Sequence, residues 1–267
     1  MQSINPIEGL LKNIGLPLFA DRYQIEAENA ERDGVNHVGY LSSLAQAEWD
    51  RRHTQRINRL LKQSKIPRNK QLKDFEIVRI PGLSPSLIYR LAEGGFIDRC
   101  ENILIFGNPG TGKTHLSIAL TREWCLKGRR VFYSSACSLV QELLRAKQSM
   151  SLDQMIKKFD RFEILVIDDI SYLSCDRQEA DFLFALLAAR YEQGSVVITS
   201  NLVFSQWHQI FKDEMTTAAA IDRLVHHATV LELNAESYRM TKAKESKNMK
   251  IQPIELEPEG ATTTINS

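Results

Sequence analysis

A chain of 267 residues, 43% hydrophobic and 25% charged, is long enough for one sizeable core plus a small accessory domain, and its composition is that of an ordinary soluble protein. No uninterrupted apolar run is long enough to cross a bilayer, and Met1–Pro6 lacks the basic and apolar regions of a secretory signal, so a cytoplasmic location is expected. The net charge of +1 hides a basic block: nine Lys and Arg residues from Arg51 to Lys73 are opposed only by Asp50.

In chain order, Pro6 to Ile66 reads as helical. Leu10, Leu11, Ile14, Leu18 and Phe19 recur at helical spacing, and Gly34 interrupts the run. A further helix is expected from Leu41 to Ser64, stopped by Pro67. On its wheel Trp49, His53, Ile57 and Leu60 share one face, with Trp49 and Ile57 expected in the core. The opposite face carries Arg51, Arg52, Arg59 and Lys62. It fits either a phosphate-contacting surface or an ordinary solvated helix face.

From about Gln71 to Arg239 strands alternate with helices, which predicts a parallel sheet with crossover helices. The candidate strands are Asn102–Phe106, Arg130–Ser134, Ile164–Asp168, Ser195–Ser200 and Ala228–Leu233. Their Val, Ile and Leu content suits burial on both faces. Gly128 should end the helix after the first strand; Asp176 with Glu179 should cap one running to Tyr191. The expected division is a helical domain with a basic linker at 1–70, an α/β domain at 71–240 and a mobile tail at 241–267. The four cysteines (Cys100, Cys125, Cys137 and Cys175) lack metal spacing and read as reduced, packed thiols; His226-His227 has no further ligand nearby in sequence.

Gly107-Asn108-Pro109-Gly110-Thr111-Gly112-Lys113-Thr114 follows the first strand and opens a helix, the context that a phosphate-binding loop requires. Its backbone N–H groups and the helix N-terminus would converge on phosphate oxygens. Lys113 would reach the β- and γ-phosphates, and the Thr114 hydroxyl would ligate Mg²⁺. Ile164–Ile167 then delivers Asp168 and Asp169 to the carboxyl edge of the sheet. There Asp168 would hold Mg²⁺ through its hydration shell and Asp169 would polarise a water; a solvated turn is the alternative. Asn201, after the apolar run Val196–Ile198, suits the lytic water and a γ-phosphate oxygen, or simply opens a turn.

This ordered set resembles the AAA+ ATPases, and more narrowly the IstB-like helper ATPases of insertion-sequence transposases, relatives of the DnaC-type helicase loaders. The resembling pieces include Gly107–His115, Ile164–Leu173, Thr199-Ser200-Asn201, Ala220–His227 and Glu236-Ser237-Tyr238-Arg239. The resemblance implies an AAA+ P-loop fold with a central parallel five-stranded sheet behind a small N-terminal helical domain. It also implies an ATP- and Mg²⁺-dependent homo-oligomer that binds duplex DNA and presents it to a cognate transposase. His115 joins the nucleotide-binding set. Arg223 becomes the arginine finger entering a neighbour's site, with Arg190 in reserve, and Arg239 the second sensor; a structural salt bridge is the alternative for each finger or sensor arginine. Where Asp169 stands most AAA+ proteins have Glu, which leaves fast hydrolysis in question. The same motifs fit a replicative helicase loader and, less well, a small-molecule kinase.

Overall fold

A computed structural model of the chain describes residues 6–67, 69–173, 177–211, 213–235 and 237–238. The expected tail at 241–267, Asp176, Cys175 and Arg239 lie outside the described residues. The N-terminal region folds as α1 (Pro6–Asn13), α2 (Pro17–Arg32) and α3 (His37–Gln63). Gly34, at φ 66°, takes the left-handed turn after α2. Helix α3 starts four residues before the expected Leu41 because the Asn36 side chain accepts a hydrogen bond from Gly39 N–H at 2.8 Å.

After α4 (Pro85–Glu93) the chain alternates β1 (Asn102–Gly107), α5 (Lys113–Leu126), β2 (Val131–Ser135), α6 (Ala136–Gln148), α7 (Leu152–Phe159), β3 (Ile164–Asp168), α8 (Arg177–Arg190) and β4 (Ser195–Ser200). It closes with α9 (His208–Phe211), α10 (Glu214–Val225) and β5 (Ala228–Leu233). All five strands are parallel, in the order β2-β3-β4-β1-β5. The second strand starts one residue later than expected, since the Glu163 carboxylate takes the Arg130 N–H at 2.8 Å.

Alternation along the strands divides the core in two. Ile103, Ile105, Ile164, Val166 and Val197 face one side, with α5 and the second half of α3; Leu104, Phe106, Leu165, Ile167, Val196 and Ile198 face the other, with α6, α8 and α10. Trp124 is fully buried and donates its Nε1–H to Leu91 O at 2.9 Å. Ile57 and Leu60 join this core as expected. Trp49 does not: it is 58% exposed and stacks on His53 at 4.9 Å. No described part of the chain covers that end of the α3 face. Of the cysteines, Cys125 is buried, and burial pushes its thiol up to about 11; Cys137 is exposed, against expectation.

The basic block is partly neutralised by Glu48, three residues before its first arginine in the sequence. Its carboxylate is 4% exposed and accepts from Arg51 Nη2 and Arg52 Nε, both at 2.6 Å. Arg52 also donates to the Gly15 carbonyl, tying α3 to the α1–α2 turn. Hydrogen bonding from Arg51 foremost, against the cost of burial, lowers the Glu48 carboxyl to about 2. A carboxyl depressed on folding stabilises above its unfolded pKa, near 4.5, and that contribution is lost as pH falls towards 2. Glu48→Gln should therefore cost about 1–2 kcal/mol at neutral pH, the arginines being partly solvated. Urea unfolding should show wild type and variant converging as pH drops from 6 to 3; a gap that stays constant would refute this.

Candidate functional site

Strand β1 ends at Gly107, and residues 108–112 turn back so that α5 begins at Lys113. Gly110 and Gly112 take φ of 86° and 103°, which side chains disfavour. A Cβ on Gly112 would sit 2.9 Å from Phe75 Cε2, and one on Gly110 would collide with the Ser237 hydroxyl. The loop thus approaches its neighbours as closely as backbone allows. Lys113 is 6% exposed, and its ammonium donates to the carbonyls of Gly107 at 2.7 Å and Asn108 at 3.0 Å. Thr111 Oγ1 donates to Asn108 O at 2.9 Å, closing the turn around Pro109. The Thr114 and His115 side chains, half-buried in the first turn of α5, line the same cavity.

Asp168, the last residue of β3, is buried and accepts three hydroxyl donors: Thr199 Oγ1 at 2.8 Å, Tyr133 O–H at 2.9 Å and Ser117 Oγ at 3.5 Å. These neutral donors orient the carboxylate without neutralising it, which leaves its charge for a cation. Burial, then the Asp168 charge, pushes the Tyr133 phenol well above its ordinary value, so it stays a donor. The Thr199 hydroxyl also accepts from Asp169 N–H at 2.7 Å, so one β4 residue holds the Asp168 carboxylate and the Asp169 backbone. Asp169 is left-handed at φ 60°, a conformation with a steric cost for a residue bearing Cβ. It aims its carboxylate at the cavity, where Asn201 Nδ2 donates to Oδ1 at 3.3 Å. Burial first, and the Asp168 charge second, raise the Asp169 carboxyl, with Lys113 opposing.

Lys113, Thr114, Asp169 and Asn201 line one cavity of about 680 Å³, within the range of nucleotide-sized ligand sites. Its far wall comes from residues that sequence reasoning did not select. Phe75, Arg79 and Ile80 belong to two short helical turns, Leu72–Asp74 and Ile77–Arg79, and the flanking residues. Phe75 packs against the His115 ring at 5.5 Å, and the Arg79 guanidinium lies 5.3 Å from the Tyr238 ring centre. Tyr238 N–H donates to Gly110 O at 3.1 Å, pinning the end of the described chain on the loop. The available signal was the apolar set Phe75, Ile77, Val78, Ile80 and Leu83 in the stretch before the first strand.

Arg223 is not in this cavity. It sits in the last turn of α10, next to Leu224, whose carbonyl accepts from Asn102 Nδ2 at 3.0 Å. Asn102 begins β1 and Gly107 ends it, so about 17 Å of strand separates that position from the phosphate loop. The guanidinium lies 4.9 Å from the Phe184 ring centre; its Nη1 is buried without a hydrogen-bond partner, and it forms no ion pair among the described residues. Arg190 is unsuited to its reserve role. It is 2% exposed and donates to the carbonyls of Phe162 at 2.9 Å and Glu163 at 3.0 Å, so it braces the sheet's amino edge. His226 and His227 gain a neighbour that the sequence did not suggest: Glu192 brings a carboxylate oxygen within 4.8 Å of ring nitrogens of both. All three are exposed, and His226 Nδ1 already shares a hydrogen bond with Tyr191 O–H at 2.9 Å.

A β2-β3-β4-β1-β5 parallel sheet, with the glycine loop after β1 and the acidic pair after β3, defines an AAA+ P-loop fold. Solved structures agree. The AMPPCP-bound DnaA of Aquifex aeolicus superposes with a TM-score of 0.55 at 20% identity, over 73% of this chain and 59% of that one. The DnaC helicase loader gives 0.52 at 17% identity, over 62% and 97%. Within this class the chain belongs to the IstB-like ATP binding protein family, whose model matches residues 9–246. An insertion-sequence ATP-binding protein of Sinorhizobium fredii is 38% identical over 245 residues, 91% of this chain and 82% of that protein. The IS21 ATP-binding protein of Pseudomonas aeruginosa is 33% identical over 243 residues, 91% and 92%. No helix among the described residues is long and apolar enough to cross a membrane.

Proposed function

We propose that the chain is an ATPase that assembles with ATP into a homo-oligomer on duplex DNA, and there serves the transposase of an insertion sequence. The observation that carries this reading is the division of the machinery. Phosphate loop, Asp169 and Asn201 share one cavity, while Arg223, with no ion pair among the described residues, stands about 17 Å off at the other sheet edge. In a head-to-tail assembly that arginine reaches the next subunit's triphosphate and not its own.

Gly107–Gly112 would cradle the phosphates with backbone N–H groups, and Lys113 would leave its two carbonyls for the β- and γ-oxygens. The Phe75–His115–Ile80 wall suits the base. Thr114 and Asp168 offer the hydroxyl and carboxylate oxygens that Mg²⁺ prefers. That ion, when bound, would neutralise charge developing on the phosphates. Asp169, held by Asn201 and Thr199, would orient the attacking water and take its proton. Arg239, by the family pattern, would touch phosphate from within its own subunit.

Asp169→Asn should keep ATP affinity within about twofold and lower turnover about 10²-fold or more. An Asp169→Asn rate equal to wild type would remove Asp169 from the mechanism. The reading as a whole is tested by ATPase rate and particle size with and without ATP and duplex DNA. DNA-stimulated hydrolysis and ATP-dependent growth in size support it; one size under all conditions contradicts it. A helicase-loader role shares this nucleotide machinery, and capture of a replicative helicase but no transposase in a pull-down would favour it.

A further inference from the structure

We propose that a cationic groove at the amino edge of the sheet, opposite the nucleotide cavity, is the track for the phosphate backbone of duplex DNA. The proposal rests on the DNA-binding reading above and gives it a place.

The groove has a volume of about 1250 Å³. Arg56 and Arg59 of α3 form one bank, and Lys158 and Arg161, at the end of α7, form the other. The turn Lys127–Arg130, between α5 and β2, makes the floor. With Lys65, eight cationic side chains line the groove against three carboxylates, an excess of five positive charges in a chain whose net charge is +1. Two of the carboxylates are spent on the floor, in Lys127–Glu93 at 2.6 Å, Arg129–Glu163 at 3.0 Å and Arg130–Glu163 at 3.7 Å, and the third, Glu142, pairs with Lys65 at 3.9 Å. The banks are not neutralised. Arg56, Arg59, Lys158 and Arg161 are exposed and have no carboxylate partner among the described residues; Arg56 only donates to Gly128 O, at 3.3 Å. A fixed charge excess of this kind attracts a polyanion and releases its counterions.

The lining also selects among polyanions. Leu60 and Phe132 lie buried beneath the charges, and Phe162 packs against Phe132 at 5.5 Å. Among the groove's described lining residues no fully exposed aromatic offers a stacking platform for unpaired bases, and no open apolar pocket would anchor an acidic peptide. A duplex, which presents phosphate on its outside, needs neither. Arg51 and Arg52, the first arginines of the basic block, are held by Glu48 and take no part. Among the described residues none lines both the groove and the nucleotide cavity, and Arg223 is not in the groove, so the groove can be altered without touching the ATP site.

The test uses the full chain with ATP and a fluorescent 40-base-pair duplex, by anisotropy from 50 to 300 mM KCl. Arg59→Glu/Lys158→Glu/Arg161→Glu should bind at least tenfold more weakly at 100 mM. The slope of log affinity against log salt should be shallower by about three, near one per lost phosphate contact. Its binding of a fluorescent ATP analogue should match wild type, which shows the fold intact. Arg22→Glu/Arg145→Glu/Lys147→Glu, an equal charge change elsewhere, should keep most of the affinity. Binding by the groove variant equal to wild type, or an equal loss in both variants, would overturn the groove. So would loss of transposase capture with DNA binding unchanged. A wild-type protein that binds no duplex at any salt would instead defeat the wider reading, whatever the variants do.

Discussion

Lys113→Ala is expected to lower ATP binding and turnover together by about 10²–10³-fold, the scale of losing one preorganised charge contact to a phosphoryl group. The side chain is 6% exposed and holds the carbonyls of Gly107 and Asn108 at 2.7 and 3.0 Å. Alanine therefore removes the cation from the phosphates and leaves two loop carbonyls without their donor. Lys113→Arg should not rescue, because a planar guanidinium does not fit a contact shaped for a compact ammonium. Isothermal titration with a non-hydrolysable ATP analogue, beside steady-state ATPase, would check both variants. ATP affinity unchanged in Lys113→Ala would mean that the triphosphate lies elsewhere.

Arg223→Ala should behave differently. With the residue some 17 Å from its own phosphate loop, nucleotide binding by the isolated subunit should stay within about twofold. Turnover in the assembled protein should fall about 10³-fold or more, the range known for arginines that act across an interface. Losing the contact with Phe184 should cost little stability, since the guanidinium makes no ion pair among the described residues. A stability loss large enough to unfold the chain would instead assign Arg223 to structure.

Much of this was legible before any coordinates. β3 and β4 match their expected bounds, because continuous Val, Ile and Leu runs ending in polar residues leave one solution for a doubly buried strand. β5 also matches, but as an edge strand it is buried mainly at Leu231 and Leu233 and not on both faces as expected. The phosphate loop is a local device, fixed by glycines within eight residues, and so it is visible in a window of that size. What escaped were features made by distant partners. The start of β2 depends on Glu163, thirty-three residues after Arg130. The cavity wall at Phe75 and Ile80 is built of short helical turns that carry no 3.6-residue or twofold period. A helical wheel puts Trp49 on an apolar face, yet it cannot say that no described residue covers it. The basic block looked uniform until Glu48 was seen to bind two of its arginines. Arg190 has the sequence neighbourhood of an interface arginine, and only the carbonyls of Phe162 and Glu163 reveal its structural use.

Mixing two inactive variants addresses the shared site most directly. Asp169→Asn keeps Arg223, and Arg223→Ala keeps the phosphate loop and both carboxylates. Combined in equal amounts with ATP and duplex DNA, random head-to-tail neighbours would pair an intact cavity with an intact arginine at about one interface in four. The account predicts recovery to about a quarter of the wild-type ATPase rate. A mixture no faster than its two components measured separately would show that each subunit hydrolyses alone, and the intersubunit site would have to be abandoned.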